Sequence, residues 1–219
     1  MTRIKVFANI MKSNEDMALK NRQVFSHYHI PVINMMSSPG SGKTSLLEKT
    51  INKLGEKINI AVLEGDLQTD RDAQRIGKYD VQVAQINTDG ACHLDANMVN
   101  KALSAFDFIK IDIFFIENVG NLVCPAGFDL GEKYRVNLVS VPEGDDKVIK
   151  YPFIFRKCDV LLINKVDLLP YISFNLERLK KEALNIRPDM KIIEISCLTN
   201  KGIQGWYDWI ESIAGKNNI

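Results

Sequence analysis

The sequence predicts an α/β fold in which a mostly parallel, doubly wound sheet is flanked by helices. Short apolar runs of strand length alternate with segments of helical periodicity along almost all of the 219 residues. A glycine-rich loop stands between the first of these strands and the helix that follows it. Polar side chains come directly after several strands, where ligands bind in such sheets. These observations favour one domain with its site at one edge of the sheet.

We expect residues 1–30 to form an N-terminal arm and helix. These pack on a domain that residues 31–219 form. Ser13 or Asn14 is a plausible capping residue, and the spaced apolar side chains after it predict an amphipathic helix that continues to Tyr28. Pro31 ends this helix. The shorter segment before Ser13 has no decisive pattern.

Seven strands and six further helices follow from the apolar periodicity. The strands are predicted at 31–36, 58–63, 81–86, 111–116, 136–141, 160–163 and 191–195. The helices are predicted at 45–56, 68–78, 94–106, 145–156, 175–186 and 202–214. Pro152 lacks an amide hydrogen, so the helix at 145–156 should start or break there. Strands separated by helices indicate a parallel sheet.

The glycine-rich loop is Ser37–Thr44, SSPGSGKT, a variant of the phosphate-binding motif G-x-x-x-x-G-K-[ST] with Ser37 at its first position. Its glycines let successive backbone N–H groups point at phosphate oxygens, and the N-terminus of the next helix adds a positive dipole end. Lys43 should reach the β- and γ-phosphates, and the Thr44 hydroxyl should bind Mg²⁺. The predicted phosphate contacts are Gly40, Ser41, Gly42, Lys43, Thr44 and Ser45. The motif predicts a single-domain P-loop NTPase.

Two strand ends carry carboxylates that suit Mg²⁺ and catalysis. Asp66 follows the second strand, and Glu117 ends the fourth, with Gly120 shortly after it. Carboxylate oxygens bind Mg²⁺ directly or through water, and the Gly120 amide can turn toward a γ-phosphate, as in a nucleotide-dependent switch. Asp70 is close enough in sequence to compete for the ion. The predicted Mg²⁺ ligands are Thr44, Asp66 and Glu117, and the predicted catalytic residues are Lys43, Asp66, Glu117 and Gly120.

The base-recognition motif N-K-x-D is formed by Asn164, Lys165 and Asp167, directly after the strand at 160–163. A carboxylate accepts hydrogen bonds from the N1–H and the exocyclic amine of guanine, whereas the N1 of adenine is itself an acceptor. The motif therefore predicts GTP and GDP rather than ATP. Ser196 and Cys197, after the last strand, should brace the base from the other side.

A second site is predicted from Cys92, His93 and Cys124, which lie in two predicted loops at the same end of the sheet as the nucleotide. Thiolate and imidazole are the ligands that Zn²⁺ and Ni²⁺ prefer. Three ligands leave the coordination sphere open, and a second copy of the chain across a two-fold axis could complete it. Cys158 and Cys197 are more simply interpreted as small buried side chains.

The composition excludes several classes of function. The formal net charge is +1 with 25% charged residues, so no bulk electrostatic argument favours nucleic acid or an anionic membrane. The N-terminus lacks the apolar core of a signal peptide, and no apolar run approaches the roughly 18 residues of a membrane span. Four scattered cysteines do not form a disulfide framework. These features predict a cytoplasmic protein.

The chain resembles the HypB family of hydrogenase nickel-incorporation GTPases, in the SIMIBI class, from about Val32 to Trp209. The resemblance rests on the segments 37–44, 64–66, 87–94, 116–125, 143–147 and 164–167. It implies GTP hydrolysis, a homodimer when GTP is bound, and Ni²⁺ or Zn²⁺ held by Cys92, His93 and Cys124 in the dimer interface. It also implies a HypA-type metallochaperone and the hydrogenase large subunit as partners. Intrinsic turnover should be slow, since the sequence offers no clear arginine finger or general base.

Three rival interpretations stay open. A urease-type nickel-insertion GTPase shares the sheet and the metal chemistry, although its Cys-Pro-His motif is missing, because Ala126 follows Cys124 and Pro125 here. A small-molecule kinase would use the same loop but needs an acceptor pocket, and N-K-x-D would serve no purpose for ATP. A regulatory module would hold nucleotide without hydrolysing it.

Overall fold

One seven-stranded sheet forms the centre of the structure, a computed structural model that describes residues 6–66 and 71–214. Its strands are β1 (Val32–Ser37), β2 (Ile60–Asp66), β3 (Gln82–Asn87), β4 (Ile113–Glu117), β5 (Tyr134–Ser140), β6 (Val160–Asn164) and β7 (Lys191–Glu194). Their order is β3-β2-β4-β1-β5-β6-β7, and all six pairings are parallel. The predicted doubly wound sheet is therefore confirmed, and it is parallel throughout.

Helices cover both faces of this sheet. They are α1 (Val6–His27), α2 (Lys43–Leu54), α3 (Arg71–Ile76), α4 (Ala96–Ala102), α5 (Lys147–Lys150), α6 (Pro152–Phe155), α7 (Leu176–Ile186) and α8 (Gln204–Ala214). The break predicted at Pro152 is confirmed, since α5 ends two residues before α6 begins. The helix predicted at 94–106 is shorter, because a 3₁₀ turn at Leu103–Ala105 follows α4. Part of the helix predicted at 68–78 lies outside the described residues.

The N-terminal helix α1 begins before Ser13, and buried asparagines attach it to the rest of the chain. Asn21 Nδ2 donates to the Ala96 carbonyl at 2.8 Å and to the Leu130 carbonyl at 3.0 Å. The Ala96 amide in turn donates to Asn14 Oδ1 at 2.8 Å. Buried amides that satisfy backbone groups fix one register of the helix. The boundary at residue 30 between an N-terminal element and the nucleotide domain stays a prediction.

The core lies in two layers, one on each face of the sheet. Strands β1, β4 and β6 are buried along their whole lengths, as expected for strands covered by helices on both sides. On one face Trp206 of α8 is completely buried, and its indole Nε1 donates to Thr50 Oγ1 of α2 at 2.9 Å. This bond joins the closing helix to the helix that starts at the glycine-rich loop.

Replacing Thr50 by valine is expected to lower the free energy of unfolding by about 1–3 kcal/mol, because the buried indole N–H would lose its acceptor. Urea unfolding measures the change. Thr50→Ser keeps a hydroxyl at the same place and serves as the control, with a smaller expected loss. A Thr50→Val protein as stable as Thr50→Ser would contradict the importance of this bond.

Candidate functional site

The glycine-rich loop follows β1 at the carboxyl edge of the sheet, and two of its positions have the left-handed backbone that favours glycine. Gly40 and Gly42 have φ angles of 73° and 103°. A Cβ on Gly42 would also stand 2.4 Å from Asn164 Nδ2. The loop is therefore wound tightly against the N-K-x-D segment, and α2 begins directly after it at Lys43.

Replacing Gly42 by alanine is expected to weaken nucleotide binding at least about tenfold, since a left-handed backbone and a clash both oppose the new side chain. Displacement of a fluorescent guanine nucleotide measures the loss. Gly90→Ala is the matched control, because Gly90 has a φ of 92° but a Cβ there would have nothing within 4 Å. Wild-type affinity in Gly42→Ala would contradict the interpretation.

Lys43 and Thr44 point into the buried edge of the site. Lys43 Nζ donates to Ser37 Oγ at 2.9 Å and lies 4.0 Å from Glu117 Oε1. Thr44 Oγ1 donates to the same Glu117 oxygen at 2.8 Å. Ser37, which replaces the usual glycine, thus supplies an acceptor for the lysine. The predicted residues Lys43, Thr44 and Glu117 form one connected cluster.

Glu64 is a site residue that the sequence prediction missed. The register of β2 on β4 pairs Glu64 with Glu117, and both side chains are buried. Burial, and then repulsion from Glu117, raise the pKa of Glu64 to about 11, as expected for two carboxyl groups buried against each other. Burial also raises the pKa of Glu117, against the opposing charge of Lys43. Among the residues that the structure describes, Glu64 Oε1 and Glu117 Oε2 have no hydrogen-bond partner, and two buried oxygens of this kind fit a divalent cation such as Mg²⁺.

A phosphate-sized cavity of about 360 Å³ opens above this cluster. Asp66 and the loop after β4 line it together with the glycine-rich loop. A Cβ on Gly120 would stand 2.9 Å from Pro39 Cα, so glycine alone allows the loop after β4 to rest on the glycine-rich loop. Asp70, the competing carboxylate, lies outside the described residues.

Arg75 of α3 was also missed by the sequence prediction, and it lines the same cavity. Its guanidinium donates to Glu48 Oε2 at 2.5 Å, to Asp72 Oδ1 at 3.1 Å and to Ser45 Oγ at 3.2 Å. The predicted contact Ser45 is therefore joined to a cation at the mouth of the site. No sequence motif identifies an arginine whose partners lie partly in another element of the fold.

A neighbouring cavity of about 740 Å³ lies at the carboxyl ends of β6 and β7. Asn164 Nδ2 donates to the Ser41 carbonyl and Lys165 Nζ to the Gly40 carbonyl, both at 2.8 Å. These two residues therefore hold the glycine-rich loop. Asp167 lines the cavity, and its buried Oδ1 has no hydrogen-bond partner in the described part of the chain, which leaves an acceptor for a ligand that carries N–H groups.

Of three further predicted contacts, one lines a cavity and two act through the loops around the site. Cys197 lines the larger cavity, and burial raises the pKa of its thiol to about 11. Ser196 is completely buried, and its hydroxyl accepts from the Thr199 amide at 3.1 Å, so it shapes the loop. The Ser41 hydroxyl donates to Glu143 Oε1 at 2.7 Å. Ser41 and Ser196 thus stabilise the site through its loops.

The two cysteine-bearing loops meet as the sequence prediction requires. The ligand atoms of Cys92, His93 and Cys124 all lie within 4.8 Å of one another, and each residue is half-buried. Cys92 Sγ lies 3.7 Å from His93 Nδ1. Burial lowers the pKa of His93, which favours the neutral imidazole that binds metals. The His93 ring also lies on the Phe128 ring, with centroids 4.0 Å apart.

Cys158 lies apart from both cavities, as predicted for a small core side chain. It is completely buried, its Sγ donates to the Val160 carbonyl at 3.1 Å, and burial raises its pKa to about 12. Within residues 6–66 and 71–214, no helix is both long enough and apolar enough to cross a membrane.

Residues 31–194 match the family model described as the CobW/HypB/UreG nucleotide-binding domain. The chain is 47% identical over 212 residues to the hydrogenase maturation factor HypB of Azotobacter vinelandii, covering 97% of this chain and 70% of that one. It is 40% identical over 218 residues to the hydrogenase/urease maturation factor HypB of Helicobacter hepaticus, covering 98% and 89%.

Two solved structures share the architecture. The crystal structure of the hydrogenase maturation factor HypB from Archaeoglobus fulgidus has a TM-score of 0.87 and 41% identity, and the match covers 93% of this chain and 99% of that one. The crystal structure of HypB from Helicobacter pylori in complex with nickel has a TM-score of 0.87 and 37% identity, and covers 94% and 96%.

Proposed function

Because this chain belongs to the CobW/HypB/UreG family, and within it to the HypB hydrogenase maturation factors, we propose that it is a GTPase that delivers nickel to [NiFe]-hydrogenase. The observation that carries the proposal is the presence of two sites at one edge of the sheet. A cavity with a buried lysine and a Cys₂His cluster both lie in loops that follow the carboxyl ends of strands. A GTPase without metal cargo has no need of the second site.

The nucleotide site supports GTP hydrolysis to GDP and phosphate. Asp167 offers its unpartnered oxygen to the guanine N–H groups, and Lys43 offers its ammonium group to the β- and γ-phosphates. Thr44, Asp66 and Glu117 would hold Mg²⁺, which supplies charge neutralisation at the phosphates. The Gly120 amide is available to the γ-phosphate once the loop moves.

Slow intrinsic turnover is part of the proposal. Among residues 6–66 and 71–214, Arg75 is the arginine that lines the phosphate cavity, and Glu48 and Asp72 already hold its guanidinium. A cation engaged in this way is not free to stabilise developing charge on the phosphates. Hydrolysis would accelerate only when α3 or a partner rearranges.

The metal site supports transient carriage of Ni²⁺ or Zn²⁺ as cargo. Two thiols and one imidazole suit either ion, and supply in the cell decides between them. Three ligands leave room for a second copy of the chain, so we propose that the GTP-bound protein is a homodimer with the metal at its interface. Its partners would be a HypA-type metallochaperone and the hydrogenase large subunit, in the cytoplasm, without nucleic acid or membrane.

The test combines phosphate release, oligomeric mass and metal affinity. We expect the purified chain to release phosphate from GTP without an acceptor. With a non-hydrolysable GTP analogue it should dimerise, and its affinity for Ni²⁺ or Zn²⁺ should differ from that with GDP. Transfer of phosphate to a small molecule would indicate a kinase. Nucleotide binding without phosphate release would indicate a regulatory module.

Urease is the second candidate target, because the relative from Helicobacter hepaticus is named a hydrogenase/urease maturation factor. Reconstitution of each apo-enzyme with nickel and this chain separates the two targets. The hydrogenase role would be supported if this chain, with nickel, activates the hydrogenase large subunit and leaves apo-urease inactive. The opposite pattern would support urease.

A further inference from the structure

A buried asparagine joins the strand that ends in Glu117 to the loop that carries Cys92 and His93. Asn118 is 1% exposed, and its Oδ1 accepts hydrogen bonds from the Leu94 amide at 3.1 Å and from the Val119 amide at 3.0 Å. Leu94 directly follows His93 in the chain. One side-chain oxygen therefore holds both the nucleotide loop and the metal loop.

The same side chain continues into a buried polar network. Asn118 Nδ2 donates to Asn34 Oδ1 at 3.3 Å, and Asn34 Nδ2 donates to Glu132 Oε1 at 3.4 Å. Glu132 Oε1 accepts from Arg135 Nε at 2.5 Å. All four side chains are buried, so breaking any of these bonds is costly.

Arg135 carries the network to the other cysteine loop. Its Nη1 donates to the Ala126 carbonyl at 3.2 Å, and its Nη2 donates to the Phe128 carbonyl at 3.1 Å. Ala126 lies two residues after Cys124, and the Phe128 ring lies on His93. The planar guanidinium thus fixes the segment that presents the third ligand.

We infer that Asn118 is a positioning residue that makes the geometry of the Cys92, His93 and Cys124 cluster depend on the nucleotide. This rests on the proposed function, in which nucleotide and metal affect each other. Movement of the loop after Glu117 shifts the backbone that carries Asn118, and the Leu94 amide must follow or lose its acceptor. Arg135 holds the Cys124 segment through the same network, so the distance between the two cysteine loops changes.

An asparagine is suited to this position because its oxygen accepts two bonds while its nitrogen donates to Asn34. Alanine removes all of these bonds. Asn137 of β5 provides a matched control, since it is completely buried and its Nδ2 donates to the Ile154 carbonyl at 3.0 Å, outside the network.

The experiment measures the Ni²⁺ dissociation constant with saturating GDP and with a saturating non-hydrolysable GTP analogue, for full-length wild type, Asn118→Ala and Asn137→Ala. We expect the ratio of the two constants in wild type to be on the order of 5–150, the usual range of couplings between sites. In Asn118→Ala the ratio should fall to within about twofold of one, whereas Asn137→Ala should keep the wild-type ratio. A merely structural role would weaken both constants equally and leave the ratio unchanged.

A folded Asn118→Ala protein with the wild-type ratio would overturn the inference. A wild-type ratio of one would instead overturn the proposed coupling itself, and the inference with it. Arg135→Lys is the second variant, because lysine cannot bridge the Ala126 and Phe128 carbonyls as the guanidinium does. If Asn118→Ala does not fold, an unchanged ratio in Arg135→Lys overturns the inference and a reduced ratio supports it.

Discussion

Replacing Asp167 by asparagine is expected to weaken GTP binding by about 100-fold, or about 2.7 kcal/mol, and to make xanthosine triphosphate the preferred nucleotide. In the wild type, the buried Oδ1 of Asp167 has no hydrogen-bond partner within residues 6–66 and 71–214, and Asp167 lines the larger cavity. Asparagine would turn an N–H group toward the exocyclic amine of guanine, where two donors face each other. Xanthine has a carbonyl at that position and accepts the new donor.

Competition between GTP and xanthosine triphosphate for a fluorescent nucleotide measures this change of preference. Asp208→Asn is the control, because Asp208 is exposed on α8 and accepts a hydrogen bond from Gln204 Nε2. It should leave both affinities unchanged. An Asp167→Asn protein that still prefers GTP would show that another group selects the base.

Replacing Cys124 by alanine is expected to lower the affinity for Ni²⁺ at least about 100-fold, because one of three converging ligands is lost. The neighbouring Cys92 and the burial of the thiol raise the pKa of Cys124. GTP affinity should stay unchanged, since Cys124 lines neither nucleotide cavity.

Competition with a chromophoric chelator gives the metal affinity, and the absorption of the nickel–thiolate bond reports the ligand type. Cys158→Ala is the matched control, because Cys158 is buried in the core with its thiol bonded to the Val160 carbonyl. It should bind Ni²⁺ as the wild type does. If Cys124→Ala and Cys158→Ala bind Ni²⁺ with equal affinity, Cys124 is not a ligand of the metal site.

The sequence predicted the parts of the site that follow strands, because motif spacing and apolar runs determine where strands end. The glycine-rich loop, Glu117 and the Cys92, His93 and Cys124 cluster all lie at the expected edge of the sheet. Glu64 directly follows the strand predicted at 58–63, but Asp66 was chosen as the ligand there, and only the register of β2 on β4 brings Glu64 opposite Glu117. Register between strands distant in sequence has no local signal.

Long-range polar contacts account for the other omissions. Asn118 and Arg75 each bind partners far along the chain, and a single sequence does not record such pairings. The start of α1 before Ser13 has a different cause. Packing against α4 stabilises this helix, and a capping residue marks a possible start that tertiary contacts override.

The convergence of Cys92 and Cys124 from separate loops has a mechanical consequence. An ion held by both would be a reversible cross-link, which shortens the free chain between the loops and restricts their local opening. Loaded and unloaded protein would then differ in the hydrogen-exchange protection of these loops. Under the proposed function, a receiving protein would meet a stiffer surface on the loaded chain than on the empty one.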